Sequence, residues 1–250
     1  YTVRSLALNC GCIHGALKVA DIKHYQLLID GEWSDASDGR VFDSTDPATG
    51  QVWARFAEAS EDDVNRAVNA AARAFNDGPW AKMSPTERGH CLRKLGDLVA
   101  ENGEALGRTE CIDTGNVYKE TRWQSNYIAE FYYFFAGCAD KVHGDTLPID
   151  KSDMFVFTKR EPLGVVAAVV PWNSQLFLSA IKIGPALAAG NTVVLKPAEF
   201  TSLTALFFAE LCQKANIPQG VVNIVTGDGT TGQHIVNHNL IDKIAFTGST

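Results

Sequence analysis

Four short loops hold most of the polar side chains that could act on a ligand, and each of them follows an apolar segment of strand length. They span residues 171–173, 196–199, 226–232 and 247–250. In an open parallel sheet, ligands lie beyond the carboxyl ends of the strands. If the four apolar segments pair in one parallel sheet, we therefore expect the four loops to lie at the same edge and to form one site.

Two of these loops contain side chains with clear chemical uses. Lys196 and Glu199 leave one strand end three residues apart, separated by Pro197, which fixes the turn. The carboxylate can accept both ribose hydroxyls of an adenosine while the ammonium approaches from the same side, although a solvated ion pair on a loop would show the same spacing. Asn173 can donate its side-chain amide to a developing oxyanion at the opening of a helix, or it can cap that helix.

The third loop matches the dinucleotide pattern G-x-G-x-x-G with Gly227, Gly229 and Gly232. Backbone amides in such a loop can face a phosphate at the start of a helix. The acidic residue that should follow about 20 positions later is missing, because that position falls at the end of the chain. A glycine-rich turn between a strand and a helix also produces this pattern by chance, so both interpretations stay open.

Alternating strands and helices would position the four loops. Apolar strand segments cover residues 164–170, 191–195, 221–225 and 243–246, and helical segments cover residues 176–189, 202–215 and 231–239. The first strand is a continuous apolar run, which is typical of a strand buried on both faces. This alternation predicts an α/β fold with a doubly wound, Rossmann-like parallel sheet.

The preceding part of the chain has a different pattern. Residues 25–56 show short strands and turns, which predict a small antiparallel meander. Four helices are then expected, the first two capped by Ser60 and Ser84. They cover residues 61–75, 85–99, 104–113 and 118–139. The last is rich in aromatic residues, which indicates a helix buried against other helices more often than a ligand site.

Composition excludes several classes of protein. The chain has 250 residues, 46% of them hydrophobic, and a net charge of -7, so it can form a large core and does not attract a phosphate backbone. We therefore expect no nucleic-acid partner, and the apolar runs are too short for a membrane span. Six cysteines without a Cys-x-x-Cys pair favour a reducing compartment, the cytoplasm. Cys10, Cys12 and His14 lack a fourth ligand, so no metal site is predicted.

Together, the loops and their neighbouring residues closely resemble the aldehyde dehydrogenase superfamily. The resemblance rests on Val170-Pro171-Trp172-Asn173 and on residues 184–199, 217–223 and 242–250, with earlier matches at 29–33, 46–50, 113–115 and 159–166. It extends from about Tyr25 to Thr250. It implies oxidation of an aldehyde to a carboxylic acid with NAD(P), through a cysteine thiohemiacetal and a thioester.

The resemblance also implies roles for individual residues. Asn173 would be the oxyanion donor and Lys182 would belong to a relay that supports the catalytic base. The cofactor residues would be a wall of Val170, Pro171 and Trp172, the ribose-holding segment Lys196, Pro197, Ala198 and Glu199, Gly229 near the adenine, and Gly248 and Ser249 at the pyrophosphate. The Gly227 loop would then be adjacent scaffold. NAD is favoured over NADP, since the Glu199 carboxylate would repel a 2'-phosphate.

The chain departs from the family pattern in two respects. The family's nucleophilic cysteine and general-base glutamate lie beyond the segment that corresponds to Thr250, and none of the six cysteines follows a strand of the parallel sheet. The chain alone is therefore expected to be an inactive, truncated piece, and a non-catalytic binding or structural relative is the alternative. Ser174 and Gln175 replace the usual aromatic residue and proline, which predicts a different substrate preference.

The expected domain organisation has four parts. Residues 1–22 would be a leader or extension with little order, and residues 23–141 the first strands and helices of the cofactor domain. Residues 142–160, where helical periodicity is lost, would form part of an oligomerisation arm. Residues 161–250 would be an incomplete cofactor-binding core. The full-length protein is expected to be a homodimer or homotetramer that acts on a small aldehyde.

Overall fold

The computed structural model describes residues 22–249, so the expectations for the leader and for Cys10, Cys12 and His14 lie outside the described residues. The strands are β1 (Lys23–Tyr25), β2 (Leu27–Ile29), β3 (Glu32–Ser34), β4 (Val41–Thr45), β5 (Val52–Ala57), β6 (Thr146–Leu147), β7 (Val156–Phe157), β8 (Val165–Val169), β9 (Thr192–Lys196), β10 (Val222–Ile224) and β11 (Lys243–Phe246). The helices are α1 (Glu61–Asn76), α2 (Pro79–Lys82), α3 (Pro85–Glu101), α4 (Gly103–Thr114), α5 (Tyr118–Cys138), α6 (Gln175–Ala188), α7 (Leu203–Lys214) and α8 (Gly229–Val236).

A six-stranded sheet forms the centre of the molecule, in the order β11-β8-β9-β10-β2-β3. Strands β11, β8, β9 and β10 are parallel, and α6, α7 and α8 connect them in turn. The sequence-based prediction of an α/β fold with a parallel, doubly wound sheet is confirmed. Among residues 22–249, none of the helices has the length and apolar character that crossing a membrane would require.

The continuous apolar run in β8 is explained by helices on both faces of the sheet. Val166 and Ala168 belong to a core shared with α3, α5, α6 and α7, whereas Val165 and Ala167 belong to a core shared with α1 and α8. Successive side chains of a strand point to opposite faces, so a strand covered on both sides must be apolar at every position. Full burial of one such valine contributes about 1.5–3 kcal/mol.

The prediction of one meander over residues 25–56 is wrong in its pairing. Strands β2 and β3 form a hairpin that joins the central sheet, because β2 pairs antiparallel with β10. Strands β1, β4 and β5 form a separate sheet in which β1 is parallel to β5. Leu27–Ile29 is buried at every position, and the Asp30 amide donates to Asn223 Oδ1 at 2.8 Å. These long-range contacts leave no signal in the local turn pattern.

The predicted helices are confirmed, and their caps form as the sequence indicated. Ser60 and Ser84 each accept a hydrogen bond from the backbone amide three residues on, in reciprocal capping boxes with Asp63 and Glu87. The aromatic helix α5 follows the burial expectation only in part. Tyr132 is fully buried and stacks on Phe208 at 5.7 Å between ring centroids. By contrast, three other aromatic residues of this helix are exposed: Trp123, Tyr127 and Phe134.

Residues 142–160, called the arm below, contain the hairpin of β6 and β7. This two-stranded sheet pairs with no other strand of the described chain. Phe155 and Phe157 on the arm are 73% and 62% exposed, and their rings lie 5.8 Å apart. The arm therefore presents aromatic surface away from the central sheet.

Asn191 ties the start of β8 to the end of α6. Its side-chain Oδ1 accepts hydrogen bonds from the amides of Leu163 and Gly164 at 2.6 and 3.0 Å, and its Nδ2 donates to the Ala186 carbonyl at 3.1 Å. Trp80 adds a hydrogen bond from its indole nitrogen to the Asn191 carbonyl at 3.1 Å. These bonds fix where the central strand begins.

The substitution Asn191→Ala should therefore destabilise the protein strongly. It leaves the amides of Leu163 and Gly164 without their acceptor, whereas the Ala186 carbonyl keeps its bond to the backbone amide of residue 191. Each buried group left unsatisfied costs roughly 1–3 kcal/mol. We expect the free energy of unfolding, measured by urea denaturation, to fall by about 3 kcal/mol. The matched variant Asn69→Ala, on the exposed face of α1, should change it by less than about 0.5 kcal/mol. Equal effects of the two variants would contradict this role of Asn191.

Candidate functional site

The order of the strands creates a crevice between β8 and β11. The chain proceeds from β8 to β9 to β10 in one direction and then returns to the other side of β8 to form β11. Val169 pairs with Lys196 on one side and with Phe246 on the other, so the three strands end at the same level. Ligands of open α/β sheets bind at such a reversal of strand order.

A cleft of about 780 Å³ lies at this edge of the sheet. Its size is in the range of small-molecule and cofactor sites. The lining residues are Val169, Val170, Pro171, Lys196, Ala198, Glu199, Asp228, Gly229, Thr230, Gly232, Gln233, Val236, Phe246, Thr247, Gly248 and Ser249. The four loops therefore meet as the sequence predicted.

Eight of the ten residues predicted to bind the cofactor line the cleft, and Trp172 and Pro197 do not. Trp172 is half exposed just beyond Pro171, and the Pro197 carbonyl accepts a hydrogen bond from Lys196. The lining residues that the sequence did not single out include Asp228, Gln233 and Phe246. Asp228 immediately precedes α8, Gln233 lies on α8 and Phe246 ends β11. The G-x-G-x-x-G pattern was the available signal for Asp228.

Lys196 is a buried cation, and the alternative of a solvated ion pair does not describe it. Its side chain is 6% exposed, with Nζ 2.9 Å from the Pro197 carbonyl and 3.9 Å from Glu199 Oε2. The aliphatic part packs beside Gly232, where an added Cβ would lie 3.5 Å from Cδ. Burial lowers the pKa of Lys196, and the charges of Glu199 and Asp228 oppose that shift. Glu199 remains 37% exposed.

The amino terminus of α8 is capped by the carboxylate of Asp228, the residue just before the helix. Asp228 Oδ1 accepts hydrogen bonds from the amides of Thr230 and Thr231 at 2.7 and 3.4 Å. Gly227 has a φ of +155° and lies so close to Thr231 that a side chain would collide with it. The amides that a phosphate would use are therefore occupied, and the carboxylate would repel an anion. This arrangement supports the interpretation of the Gly227 loop as scaffold.

Asn173 lies in the turn that precedes α6 and does not cap that helix. Its side chain is exposed, and the residue in the capping position, Ser174, makes no side-chain cap bond. The Asn173 carbonyl accepts a hydrogen bond from Asn116 Nδ2 at 2.8 Å. The carboxamide of Asn173 makes no hydrogen bond to another residue in the range 22–249. It is therefore available to a ligand.

Lys182, on α6, connects that helix to the loop after β11. Its Nζ donates to Thr247 Oγ1 at 2.5 Å, and the Thr247 amide donates to the Val169 carbonyl at 3.1 Å. Burial lowers the pKa of Lys182. Thr247 lines the cleft and Lys182 does not, so the lysine supports the cleft through its hydrogen bond to Thr247.

Two buried acids on α4 support this edge of the sheet, and neither was predicted from the sequence as a site residue. Glu110 Oε1 accepts the Leu176 amide at 3.2 Å, at the start of α6. Asp113 Oδ2 accepts the Leu203 and Thr204 amides at 3.0 and 3.4 Å, at the start of α7. Burial raises the pKa of Glu110 to about 7 and the pKa of Asp113 well above its ordinary value. Two acids three residues apart on one helix face were the available signal.

The cysteines of the described chain lie away from the cleft. None of Cys91, Cys111, Cys138 and Cys212 belongs to its lining. Burial raises the pKa of the Cys91 and Cys212 thiols, which disfavours the nucleophilic thiolate. Between residues 22 and 249 there is no group of three or more metal-ligating side chains.

A parallel α/β sheet with a cleft at its reversal of strand order is the architecture of Rossmann-like nucleotide-binding proteins. Comparison with known proteins specifies this class further. The model of the aldehyde dehydrogenase family matches residues 33–250, and the chain belongs to that family.

Individual relatives agree with this assignment. The chain is 49% identical over 228 residues to (Z)-2-((N-methylformamido)methylene)-5-hydroxybutyrolactone dehydrogenase of Acinetobacter baylyi, covering 91% of this chain and 46% of that protein. A structure described as the NAD+ complex of aldehyde dehydrogenase from Bacillus cereus superimposes with a TM-score of 0.89 at 44% identity, covering 93% of this chain and 48% of that one. The chain thus spans about half the length of each of these two proteins. Relatives with mitochondrial and with cytosolic names both occur.

The buried acid Glu110 should give the protein a measurable pH dependence of stability. Its pKa is about 7 in the folded protein and about 4.5 when unfolded, so the folded state binds more protons between these values. The free energy of unfolding of the wild-type protein should therefore fall as pH rises from 4.5 to 7. Relative to the variant Glu110→Gln, whose side chain does not titrate, the fall should be about 3 kcal/mol.

Denaturation by urea at several pH values would measure this difference. Glu104→Gln on the same helix is the control. A hydrogen bond from Arg108 lowers the pKa of Glu104 from its ordinary value of 4.5, so this carboxylate loses its contribution to stability only at lower pH. The difference in stability between the wild-type protein and Glu104→Gln should therefore stay constant from pH 4.5 to 7. A constant difference between the wild-type protein and Glu110→Gln across this range would contradict the raised pKa.

Proposed function

We propose that the full-length protein oxidises an aldehyde to a carboxylic acid with NAD as its cofactor. The observation that carries the proposal is the cleft at the end of β8, where Glu199 and the Thr247–Ser249 loop line one space and the Asn173 turn follows the same strand. Membership of the aldehyde dehydrogenase family supports the activity. A relative of similar fold is described as an NAD+ complex, which supports the cofactor.

The residues of the cleft fit a dinucleotide. The partly exposed Glu199 carboxylate is free to accept ribose hydroxyls, since its distance to Lys196 Nζ, 3.9 Å, is too long for a strong hydrogen bond. Lys196 holds the base of this loop through the Pro197 carbonyl. Gly248 and Ser249 would meet the pyrophosphate and Gly229 the adenine side. A carboxylate at the ribose disfavours a 2'-phosphate, so we propose NAD in preference to NADP.

Asn173 and Lys182 would act at the reacting end. When bound, NAD accepts a hydride from the substrate. The Asn173 carboxamide would donate a hydrogen bond to the oxygen of the aldehyde as negative charge develops on it. Lys182, held at Thr247, would support the proton relay of the general base. We place the nucleophilic cysteine and the general base outside the described residues.

The remaining parts of the proposal concern organisation and location. We propose residues 23–141 and 161–250 as parts of the cofactor domain and the arm as part of an oligomerisation element. The exposed Phe155 and Phe157 support contact with a second subunit, and hence a homodimer or homotetramer. The thiols of Cys138 and Cys212 are compatible with a reducing compartment, and we propose the cytoplasm.

The alternative is a non-catalytic relative that binds a nucleotide without turnover. It is favoured by one observation, that no cysteine of the described chain lines the cleft. Turnover by the full-length protein distinguishes the two hypotheses. Formation of NADH from NAD with members of an aldehyde panel supports the enzyme, and NAD binding without any NADH supports the alternative.

Two substitutions in the full-length protein test the roles separately. Glu199→Ala should weaken NAD binding about 10- to 100-fold, because it removes a charged acceptor of two hydrogen bonds.

Asn173→Ala should lower kcat about 10²- to 10³-fold with NAD affinity unchanged, because it removes an oxyanion donor. Calorimetric titration and steady-state kinetics measure these effects, and Glu101→Ala at the exposed end of α3 is the control. Unchanged NAD affinity in Glu199→Ala would contradict the ribose assignment.

Ser174 provides a test of the substrate side. It follows Asn173 directly, so an aromatic ring introduced there should narrow the approach to the carboxamide. We expect Ser174→Phe to change the ratio of kcat/KM between small and bulky aldehydes, in favour of the small ones. Ser174→Ala, which adds no bulk, should leave the ratio near the wild-type value. Equal ratios in all three proteins would show that this position does not select the substrate.

A further inference from the structure

The turn that carries Asn173 is held from outside by α4 and the residues after it. Asn116 Nδ2 donates to the Asn173 carbonyl at 2.8 Å. Glu110 Oε1 accepts the Leu176 amide at 3.2 Å, three residues further along. The two hydrogen bonds therefore hold the turn at two points, at Asn173 and in the first turn of α6.

This external support replaces an ordinary helix cap. The first amides of a helix lack intrahelical partners and are usually satisfied by the side chain just before it. Ser174 occupies that position with φ −156° and ψ 59°, and its hydroxyl makes no cap bond. The Glu110 carboxylate, buried beneath α6, takes over the role and also complements the positive end of the helix.

Asn116 is itself held in place. Its backbone amide donates to Thr114 Oγ1 at 3.1 Å, and that hydroxyl donates to the Glu110 carbonyl at 2.6 Å. Gly115, at φ +75°, ends α4 and lies so close to Pro47 that an added Cβ would be 2.6 Å from its Cγ. The loop that presents Asn116 is therefore held by hydrogen bonds and close packing, although Asn116 itself is partly exposed.

We propose that Asn116 and Glu110 are positioning residues for Asn173, holding its peptide so that the carboxamide points into the reaction site. This inference rests on the proposed function of Asn173 as oxyanion donor. The carbonyl held by Asn116 belongs to the same residue as that carboxamide, so rotation of the peptide would move the donor. Oxyanion donors work only when fixed near hydrogen-bond distance of the developing charge, and small displacements reduce rates strongly.

The substitution Asn116→Asp tests the proposal in the full-length protein. It keeps the size of the side chain but places a carboxylate, which cannot donate, against the Asn173 carbonyl. Loss of a whole oxyanion donor costs about 10²- to 10³-fold in rate, so its displacement should lower kcat about tenfold. The KM for NAD and the thermal midpoint should not change, since Asn116 neither lines the cleft nor is buried.

Asn69→Asp is the matched control. Asn69 Nδ2 also donates to a backbone carbonyl, that of Asn65 at 2.7 Å, on the exposed face of α1. The chemical change is the same, but the site lies on another element. This variant should keep the wild-type kcat.

A double-mutant cycle shows whether Asn116 acts through Asn173. In the Asn173→Ala background the donor is gone, so Asn116→Asp should have little further effect on kcat. Losses that multiply would overturn the proposal, as would an unchanged kcat in Asn116→Asp when Asn173→Ala is impaired. An unimpaired Asn173→Ala would instead contradict the proposed function of Asn173.

Glu110 is tested by a pair of variants. Glu110→Ala removes the acceptor and should lower kcat, whereas Glu110→Gln keeps an acceptor oxygen for the Leu176 amide and should restore most of the rate. Equal losses in the two variants would contradict the acceptor role. If Glu110→Ala does not fold, the other two variants still decide, because Glu110→Gln must keep most of the wild-type kcat and Asn116→Asp must lower it about tenfold.

Discussion

The pairing of β8 with β9 and β11 is the constraint on which the candidate site depends. Val169 is opposite both Lys196 and Phe246, so the loops after the three strands start at one level. That alignment requires β8 to be buried between two neighbours and between two layers of helices. The apolar residues of β8 meet this requirement on both faces, and Asn191 fixes the point where the strand begins.

Buried charge is the second constraint at this edge. Lys196, Glu110 and Asp113 are all nearly inaccessible to water, and an ionisable group in such a place is costly unless its hydrogen bonds are satisfied. Lys196 donates to a carbonyl of its own loop, and each acid accepts amides from the start of a helix. These bonds fix three loops and offset part of the cost of burial, and the raised pKa values of the two acids reflect the part that remains. The stability of the core is thereby linked to the geometry of the cleft.

Local features of the sequence predicted much of this arrangement. The apolar runs predicted the parallel strands, and the capping residues Ser60 and Ser84 predicted where two helices begin. The loops that follow the strands predicted the location of the cleft. The hairpin of β2 and β3 could not be assigned to the central sheet, because its pairing with β10 joins residues nearly 200 positions apart. The burial of Lys196 and the support of Asn173 by Asn116 likewise depend on contacts between distant segments.

The central claim is that NAD binds in the cleft between β8 and β11, with its adenosine ribose at Glu199 and its pyrophosphate at the loop after β11. A crystal structure of the full-length protein with NAD tests this claim most directly. We expect the ribose hydroxyls to be hydrogen-bonded to the Glu199 carboxylate, and Asp228 to remain bonded to the Thr230 and Thr231 amides. A pyrophosphate bound at those two amides, with Asp228 displaced, would contradict it.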